Sequence, residues 1–140
     1  MKRYFLELCY DGATFGGFQI QNNVDTIQGS VQAALKTLYR VDIELTGASR
    51  TDAGVHAFQN FFHFDTDLAI SQKQVYNLNA ILPNSIVIKA IYEVPPTVHC
   101  RFDATSRSYI YKLHTQKDPF LEGRSWYYPF PIDLNQLKQA

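Results

Sequence analysis

An α+β domain of the ferredoxin-like kind, a four-stranded antiparallel sheet with two helices on one face, is what this sequence predicts. Three observations predict it. First, period-two and helical patterns succeed one another between Arg3 and Glu93 in the order strand, helix, strand, strand, helix, strand, which is the split βαβ arrangement. Second, the helical segments carry start signals, Asp25 or Thr26 before one and Ser71 with Gln74 before the other. Third, Pro95-Pro96 closes the series, so residues 1–95 read as one domain and residues 96–140 as a linker, a strand and the start of a second α+β domain.

Each element has its own justification. Tyr4, Leu6, Leu8 and Tyr10 alternate and make the first strand. The stretch from Asp11 to Gln21 is rich in glycine, with Phe15 and Phe18 interspersed, and reads as an irregular segment. Ile27, Val31, Ala34, Leu35 and Leu38 share one helical face. Val41, Ile43 and Leu45 are expected to form a second strand through Thr46, and Phe58 to Phe64 a third. Val75, Leu78 and Leu82 give the second helix its apolar side until Pro83 ends it, and Ile86 to Glu93 is the fourth strand. Phe61, His63 and Asp65 fall on one side of the third strand and Phe58, Phe62 and Phe64 on the other. Aromatics on both sides predict a second layer over the outer sheet face. Beyond Pro96, Ser108 to His114 alternates like a strand and Asp133-Leu134 opens a helix. A strand and one helical turn do not make a domain, so the sequence reads as truncated at Ala140.

Composition bounds the function. The 140 residues, 46% hydrophobic and 14% aromatic, suffice for one buried core. No apolar run approaches the roughly 20 residues that span a bilayer, and Glu7 and Asp11 interrupt any signal-peptide core, so no membrane association and a cytoplasmic location are expected. Cys9 and Cys100, far apart, read as reduced core thiols. Net charge is zero, which counts against a general nucleic-acid binder, although Arg101, Arg107, Lys112, Lys117 and Arg124 outnumber their acidic neighbours and leave room for a local basic stripe. His56, His63, Asp65 and Asp67 lack a zinc spacing, so no metal site is expected there.

The chemistry concentrates at Gly47 to Ala57, a short polar loop between the second and third strands. Gly47 and Gly54 allow a tight tip that presents Arg50 and Asp52 outward. An ordinary hairpin whose Asp and Thr bond their own backbone would also fit the composition. Arg50-Thr51-Asp52-Ala53-Gly54-Val55-His56-Ala57 resembles the signature of the TruA family of tRNA pseudouridine synthases. Two further segments agree in order and spacing: Tyr10-Asp11-Gly12 with Phe15, Gly17, Gln19 and Gln21, and Arg101-Phe102-Asp103-Ala104-Thr105-Ser106-Arg107-Ser108-Tyr109-Ile110-Tyr111. Ser49 stands where many members carry glycine and Asp103 where several carry serine; neither touches the expected chemistry.

The resemblance implies the pseudouridine synthase I fold and isomerisation of uridines at tRNA positions 38 to 40, in the anticodon stem-loop, by a homodimer without metal or cofactor. It gives Asp52 the role of nucleophile, Tyr109 that of the ring packed on the target uracil, and Arg50 a contact with RNA beside the extruded nucleotide; Arg107 joins them as a candidate substrate contact, with a surface charge or a partner for a structural carboxylate as its other readings. A basic partner for the aspartate, supplied in the family by a C-terminal half, is absent here, so the 140-residue chain alone is expected to be inactive. Two other classes compete. A non-catalytic RRM-like RNA-binding module shares the element order, but Ala57-Phe58-Gln59-Asn60-Phe61-Phe62 fits its strand-three pattern poorly. A ferredoxin-like regulatory domain for small ligands predicts no RNA affinity.

Overall fold

The alternation at the start of the chain becomes strand β1 (Lys2–Tyr10) in the computed structural model, which describes residues 1–140. It is the centre of the sheet. β2 (Thr46–Gly47), β3 (Ala57–Thr66) and β4 (Ile86–Val94) complete an antiparallel sheet in the order β2-β3-β1-β4. Helix α1 (Ile27–Tyr39) starts where Thr26 accepts from the Gly29 amide, and ends at Arg40, whose left-handed backbone stops the helix. The Ser71/Gln74 capping box opens a 3-10 turn, Gln72–Gln74, that runs into α2 (Val75–Ile81). These elements are the expected ferredoxin-like fold.

Its core is one layer deep. Tyr4, Leu6 and Leu8 of β1, Phe62 and Phe64 of β3, and Ile86, Ile88 and Ile91 of β4 bury one sheet face against Ile27, Val31 and Leu35 of α1 and Leu78 of α2. Phe18, from the glycine-rich segment, stacks on Phe62 with centroids 4.6 Å apart and planes 14° off parallel, and so draws that segment down onto the same core.

One expected strand is mostly missing. Ile43 and Leu45 are buried, as their alternation predicts, yet only Thr46 and Gly47 pair with β3. The reason is a competing partner: the Leu45 carbonyl accepts from the Gln28 amide of α1, so a helix side chain takes the bond a ladder would have used. Alternation reports which side is buried, not who receives the backbone hydrogen bonds.

The compact unit continues past Pro95-Pro96 and runs from Met1 to Thr105. Residues beyond the prolines fold over the outward side of β3. His99 packs edge-on against His63 at 4.4 Å, Phe102 stacks on His99 at 4.0 Å, and Arg3 Nη1 donates to the Val98 carbonyl. The cover expected on the outer face is therefore supplied, over His63, by the chain itself. Arg3 also makes a two-pronged pair with Asp65, at 2.8 and 2.7 Å, at the margin of this cover.

Ser106–Ala140 form a second unit. Of the alternating run Ser108 to His114, only β5 (Leu113–His114) is a strand, paired in parallel with β6 (Trp126–Tyr127). Tyr109, Ile110 and Tyr111 are exposed and belong to no strand. Helix α3 (Leu134–Gln139) begins as expected, with Asp133 accepting from the amides of Asn135 and Gln136.

His63 generates a prediction. Burial, and then the positive charges of Arg3, His99 and Arg101, hold its pKa below the ordinary 6.5, with Asp65 opposing them. The folded protein thus resists protonation more than the unfolded chain does, and stability is complete above pH 6.5 and falls as pH drops below it. Asp65, held low by Arg3, adds a separate loss only below its own ordinary value of 3.8. Thermal unfolding between pH 7.5 and 5 should show the first loss in wild type and a flatter profile in His63→Gln; equal slopes in the two would refute the assignment.

Candidate active site

The loop Gly47–Ala57 is built by its neighbours before its own residues are considered. At its base, the Ala48 amide donates to the Phe61 carbonyl, and Asn60, buried at an inward position of β3, donates to the Ser49 carbonyl at 3.2 Å. The same Asn60 amide also donates to the Tyr10 hydroxyl at 3.2 Å. With a lone pair so occupied, that hydroxyl can give its own proton to Thr51 Oγ1, 2.7 Å away. A β-bulge assists. Leu8 faces Asn60 but Tyr10 faces Ala57, so β3 gains one residue as it enters the loop and Phe58 is turned out to solvent.

The glycine-rich segment lies against the back of the loop. The Phe18 amide donates to the Thr51 carbonyl, and a Cβ on Gly12 would sit 2.0 Å from the Val55 carbonyl oxygen. Only glycine allows that approach at Gly12. His56 Nδ1 lies 3.0 Å from both the Gly12 amide and Asp11 Oδ1: a lone pair there takes the Gly12 proton, and a proton there goes to the carboxylate. Either state ties the far end of the loop to Asp11-Gly12.

What remains at the tip is a turn. The Val55 amide donates to the Asp52 carbonyl, and Gly54 takes φ +80° at the position where a type II turn requires it. Thr51 therefore does not bond its own backbone through its hydroxyl, as an ordinary turn would have it, but bonds Tyr10. The bonds that hold the loop use the backbone of Asp52 and leave its carboxylate exposed. Arg50 is exposed as well and lines a cavity of about 190 Å³ beside the loop. A carboxylate that is fixed in position yet open to solvent can act as a nucleophile toward a ligand brought to it.

The expected site residues divide between the units. Arg50 and Asp52 belong to the first, two positions apart on the loop; Arg107 and Tyr109 lie in the second, with Tyr109 64% exposed and so not a core residue of that unit. Sequence reading missed Asn60 and the hydroxyl of Tyr10. The signal for Asn60 was present: an amide at an inward position in a row of phenylalanines must find partners, and the loop is what it finds.

A metal-type cluster also forms, and it shares only His63 with the set considered in the sequence. His63, His99 and Cys100 bring their ligand atoms within 4.8 Å of one another. Their hydrogen bonds account for them. Cys100 Sγ donates to the Thr46 carbonyl and lies 3.1 Å from His63 Nδ1, while His99 Nδ1 accepts from the amides of Arg101 and Phe102. Burial pushes the Cys100 thiol up to about 11, so in the absence of a metal it is protonated and able to donate to Thr46.

The clamp can be tested directly. Gly12→Ala should force Val55 away, lower stability by roughly 1–3 kcal/mol, and speed hydrogen exchange at the Phe18 and Val55 amides while the β1–β3 ladder stays protected. Unchanged exchange at both amides would mean that the contact does not hold the loop.

Comparison with known proteins places the chain in a family. A family model described as tRNA pseudouridine synthase matches residues 9–103, from the end of β1 through the loop to the cover over His63. Curated relatives named tRNA pseudouridine synthase A match nearly the whole chain: 39% identity over 99% of it for the Staphylococcus aureus protein, 41% over 99% for a Geobacillus protein, and 42% over 100% for that of Parabacteroides distasonis. The chain spans 53%, 58% and 56% of those relatives, a little over half their length. With the three motifs, the sheet order and the loop in agreement, the chain belongs to the TruA family of tRNA pseudouridine synthases.

Proposed function

We propose that this chain takes part in converting uridine to pseudouridine in the tRNA anticodon stem-loop, at positions 38 to 40, with Asp52 as the nucleophile. The observation that carries this reading is the exposed Asp52 carboxylate on a loop whose fixing bonds are all made by other groups.

The reaction breaks the bond from ribose C1′ to N1, turns the uracil over and joins C1′ to C5; the C5 proton leaves to solvent and N1 regains one. Attack by Asp52, at C1′ or at C6 of the pyrimidine, holds one fragment covalently while the base turns, and the same carboxylate departs at the end, so no water is consumed. Extruding the nucleotide costs a few kcal/mol, and a ring stacked on the uracil returns roughly 1–3 kcal/mol. Tyr109 is assigned that stacking. Arg50 contacts the RNA near the extruded nucleotide and Arg107 holds a phosphate, where a planar fork suits the geometry. The family resemblance extends the reading to a homodimer. The free thiols of Cys9 and Cys100 fit a reducing compartment, the cytoplasm. No helix is long and apolar enough to cross a membrane.

A non-catalytic RNA module of the RRM kind would stack bases on outward aromatics of β3. There His63 is buried under His99 and Phe61 is half-buried, which weighs against that use.

The test is Asp52→Asn in the full-length protein, with tRNA labelled at C5 of uridine to follow proton release. Turnover should fall by roughly 10³-fold or more, and tRNA affinity should stay within about threefold, since an exposed carboxylate facing RNA adds little to binding. Substrate carrying 5-fluorouridine should yield an altered or trapped product only when Asp52 is present. Retained turnover in the variant would sink the assignment.

A further inference from the structure

Four hydrogen bonds settle which way the amide of Asn60 faces. Its Oδ1 accepts from the Phe61 amide at 2.8 Å and from the Ser49 hydroxyl at 3.3 Å, and its Nδ2 donates to the Ser49 carbonyl and to the Tyr10 hydroxyl, both at 3.2 Å. The Phe61 N–H can only donate, so the atom beside it is the oxygen and the atom beside Tyr10 is the nitrogen. Tyr10 must then place its own hydrogen. It is 5% exposed, where a hydroxyl hydrogen without an acceptor is costly, and Thr51 Oγ1 at 2.7 Å receives it. The hydrogen left over at the end of the series belongs to Thr51. That residue is half-buried, its hydroxyl makes no second bond, and the next residue along the chain is Asp52. We propose that the Thr51 hydroxyl is a substrate donor, giving its hydrogen to an oxygen of the nucleotide presented to Asp52, with Tyr10 and Asn60 as the positioning residues that set its direction. The inference rests on the reading of Asp52 above and adds Thr51, Tyr10 and Asn60 to it.

Construction supports this use. Asn60 belongs to β3 and Tyr10 to the end of β1, and the Tyr10 ring packs on Phe18 with centroids 5.9 Å apart. The series is therefore anchored in the sheet and not in the loop. Thr51 is held at a second point as well, because its carbonyl accepts the Phe18 amide at 3.0 Å. A side chain fixed through its hydroxyl oxygen and through its backbone loses little freedom when it meets a ligand. The series also has a direction. Tyr10 accepts from Asn60 before it donates to Thr51, and hydrogen bonds linked in this way polarise one another, which makes the last hydroxyl a better donor.

The neighbouring carboxylate limits the ligand. Asp52 acts at C1′ of the ribose or C6 of the uracil, and, apart from the sugar ring oxygen, the acceptors nearest C1′ are the uracil 2-carbonyl and the ribose 2′-hydroxyl. Either can take one hydroxyl hydrogen. As the bond from C1′ to N1 breaks, negative charge spreads to the 2-carbonyl, so a donor there strengthens toward the transition state. At the 2′-hydroxyl the same donor would hold the sugar in register with the carboxylate.

The experiment assays the full-length protein on tRNA as wild type, Thr51→Val, Thr51→Ser, Tyr10→Phe and the double variant Tyr10→Phe/Thr51→Val. Valine keeps the shape of threonine without the hydroxyl, and kcat should fall roughly 10- to 100-fold while KM for tRNA stays within about threefold. Serine should restore most of the rate. Tyr10→Phe should lower kcat by a smaller factor, roughly 3- to 10-fold, and add nothing once residue 51 is valine, because it acts through that hydroxyl. Target uridines with sulfur in place of the 2-carbonyl oxygen, or without the 2′-hydroxyl, identify the acceptor: one of them should slow the wild type and be indifferent to Thr51→Val. A merely structural Thr51 would lower the thermal midpoint and leave kcat untouched, which overturns the proposal, as do additive losses in the double variant. If Thr51→Val does not fold, the wild type answers alone, since equal turnover of both altered substrates and natural tRNA leaves no oxygen to receive the hydrogen. Full turnover in Thr51→Val with none in Asp52→Asn would remove the donor and leave the Asp52 reading standing, whereas turnover in Asp52→Asn would end both.

Discussion

The close approach of two backbones, Gly12 against Val55, is the constraint on which the site depends. A carbonyl oxygen 2.0 Å from where a side chain would begin leaves space for nothing larger than a hydrogen. Backbone contact of this kind is stiff, because neither partner has a rotamer to change. Once Val55 is backed by Gly12 and the Thr51 carbonyl receives the Phe18 amide, the three residues between Thr51 and Val55 have little freedom except to turn. The tip can then leave the Asp52 carboxylate out of its own hydrogen bonding.

That stiffness is passed on from the core. Phe18 is anchored on Phe62, and its carbonyl, with that of Gly17, accepts the Gln28 and Ile27 amides that open α1. The first turn of the helix therefore satisfies its unpaired donors on the segment that backs the loop. From the other side, Tyr10 at the end of β1 and Asn60 on β3 reach the loop from neighbouring central strands, through one shared hydroxyl. Removal of either would leave a buried polar atom without its partner, the costly case for a hydrogen bond. Sheet, helix and glycine-rich segment converge on one loop, although they are far apart in sequence.

Much of this was legible beforehand and some was not, for reasons that differ residue by residue. The helix starts at Thr26 and Ser71 could be read because a cap is a local bond between residues three apart. The strand at Val41 to Leu45 could not, because Ile43 and Leu45 are buried but the Leu45 carbonyl bonds a glutamine from another element. The run at Ser108 to His114 misled in the same way: it alternates, yet only its last two residues have a neighbouring strand. The Pro95-Pro96 boundary stopped short of Thr105 because the pieces that extend the first unit, His99, Cys100 and Phe102, show no period and cover β3 by side-chain contacts alone. Asp52 and Arg50 were picked out by their loop and by resemblance. What the sequence could not display is that Tyr10, counted as one more apolar position, is there for its oxygen.

Charge gives the last step. A net charge of zero counts against RNA only if the charges are evenly mixed, and in this fold they are not. Glu93 sits on Lys2, Asp65 on Arg3, Asp42 on Lys36 and Glu7 on Lys89. The exposed pairs among them, Lys2–Glu93 and Lys36–Asp42, contribute only about 0–1 kcal/mol each to stability. Their larger effect is to neutralise acids and bases locally. Arg50 and Arg101 both line the cavity beside the loop. A polyanion meets the field at the point of contact and not the sum over the chain, so a net charge of zero does not by itself decide against an RNA ligand.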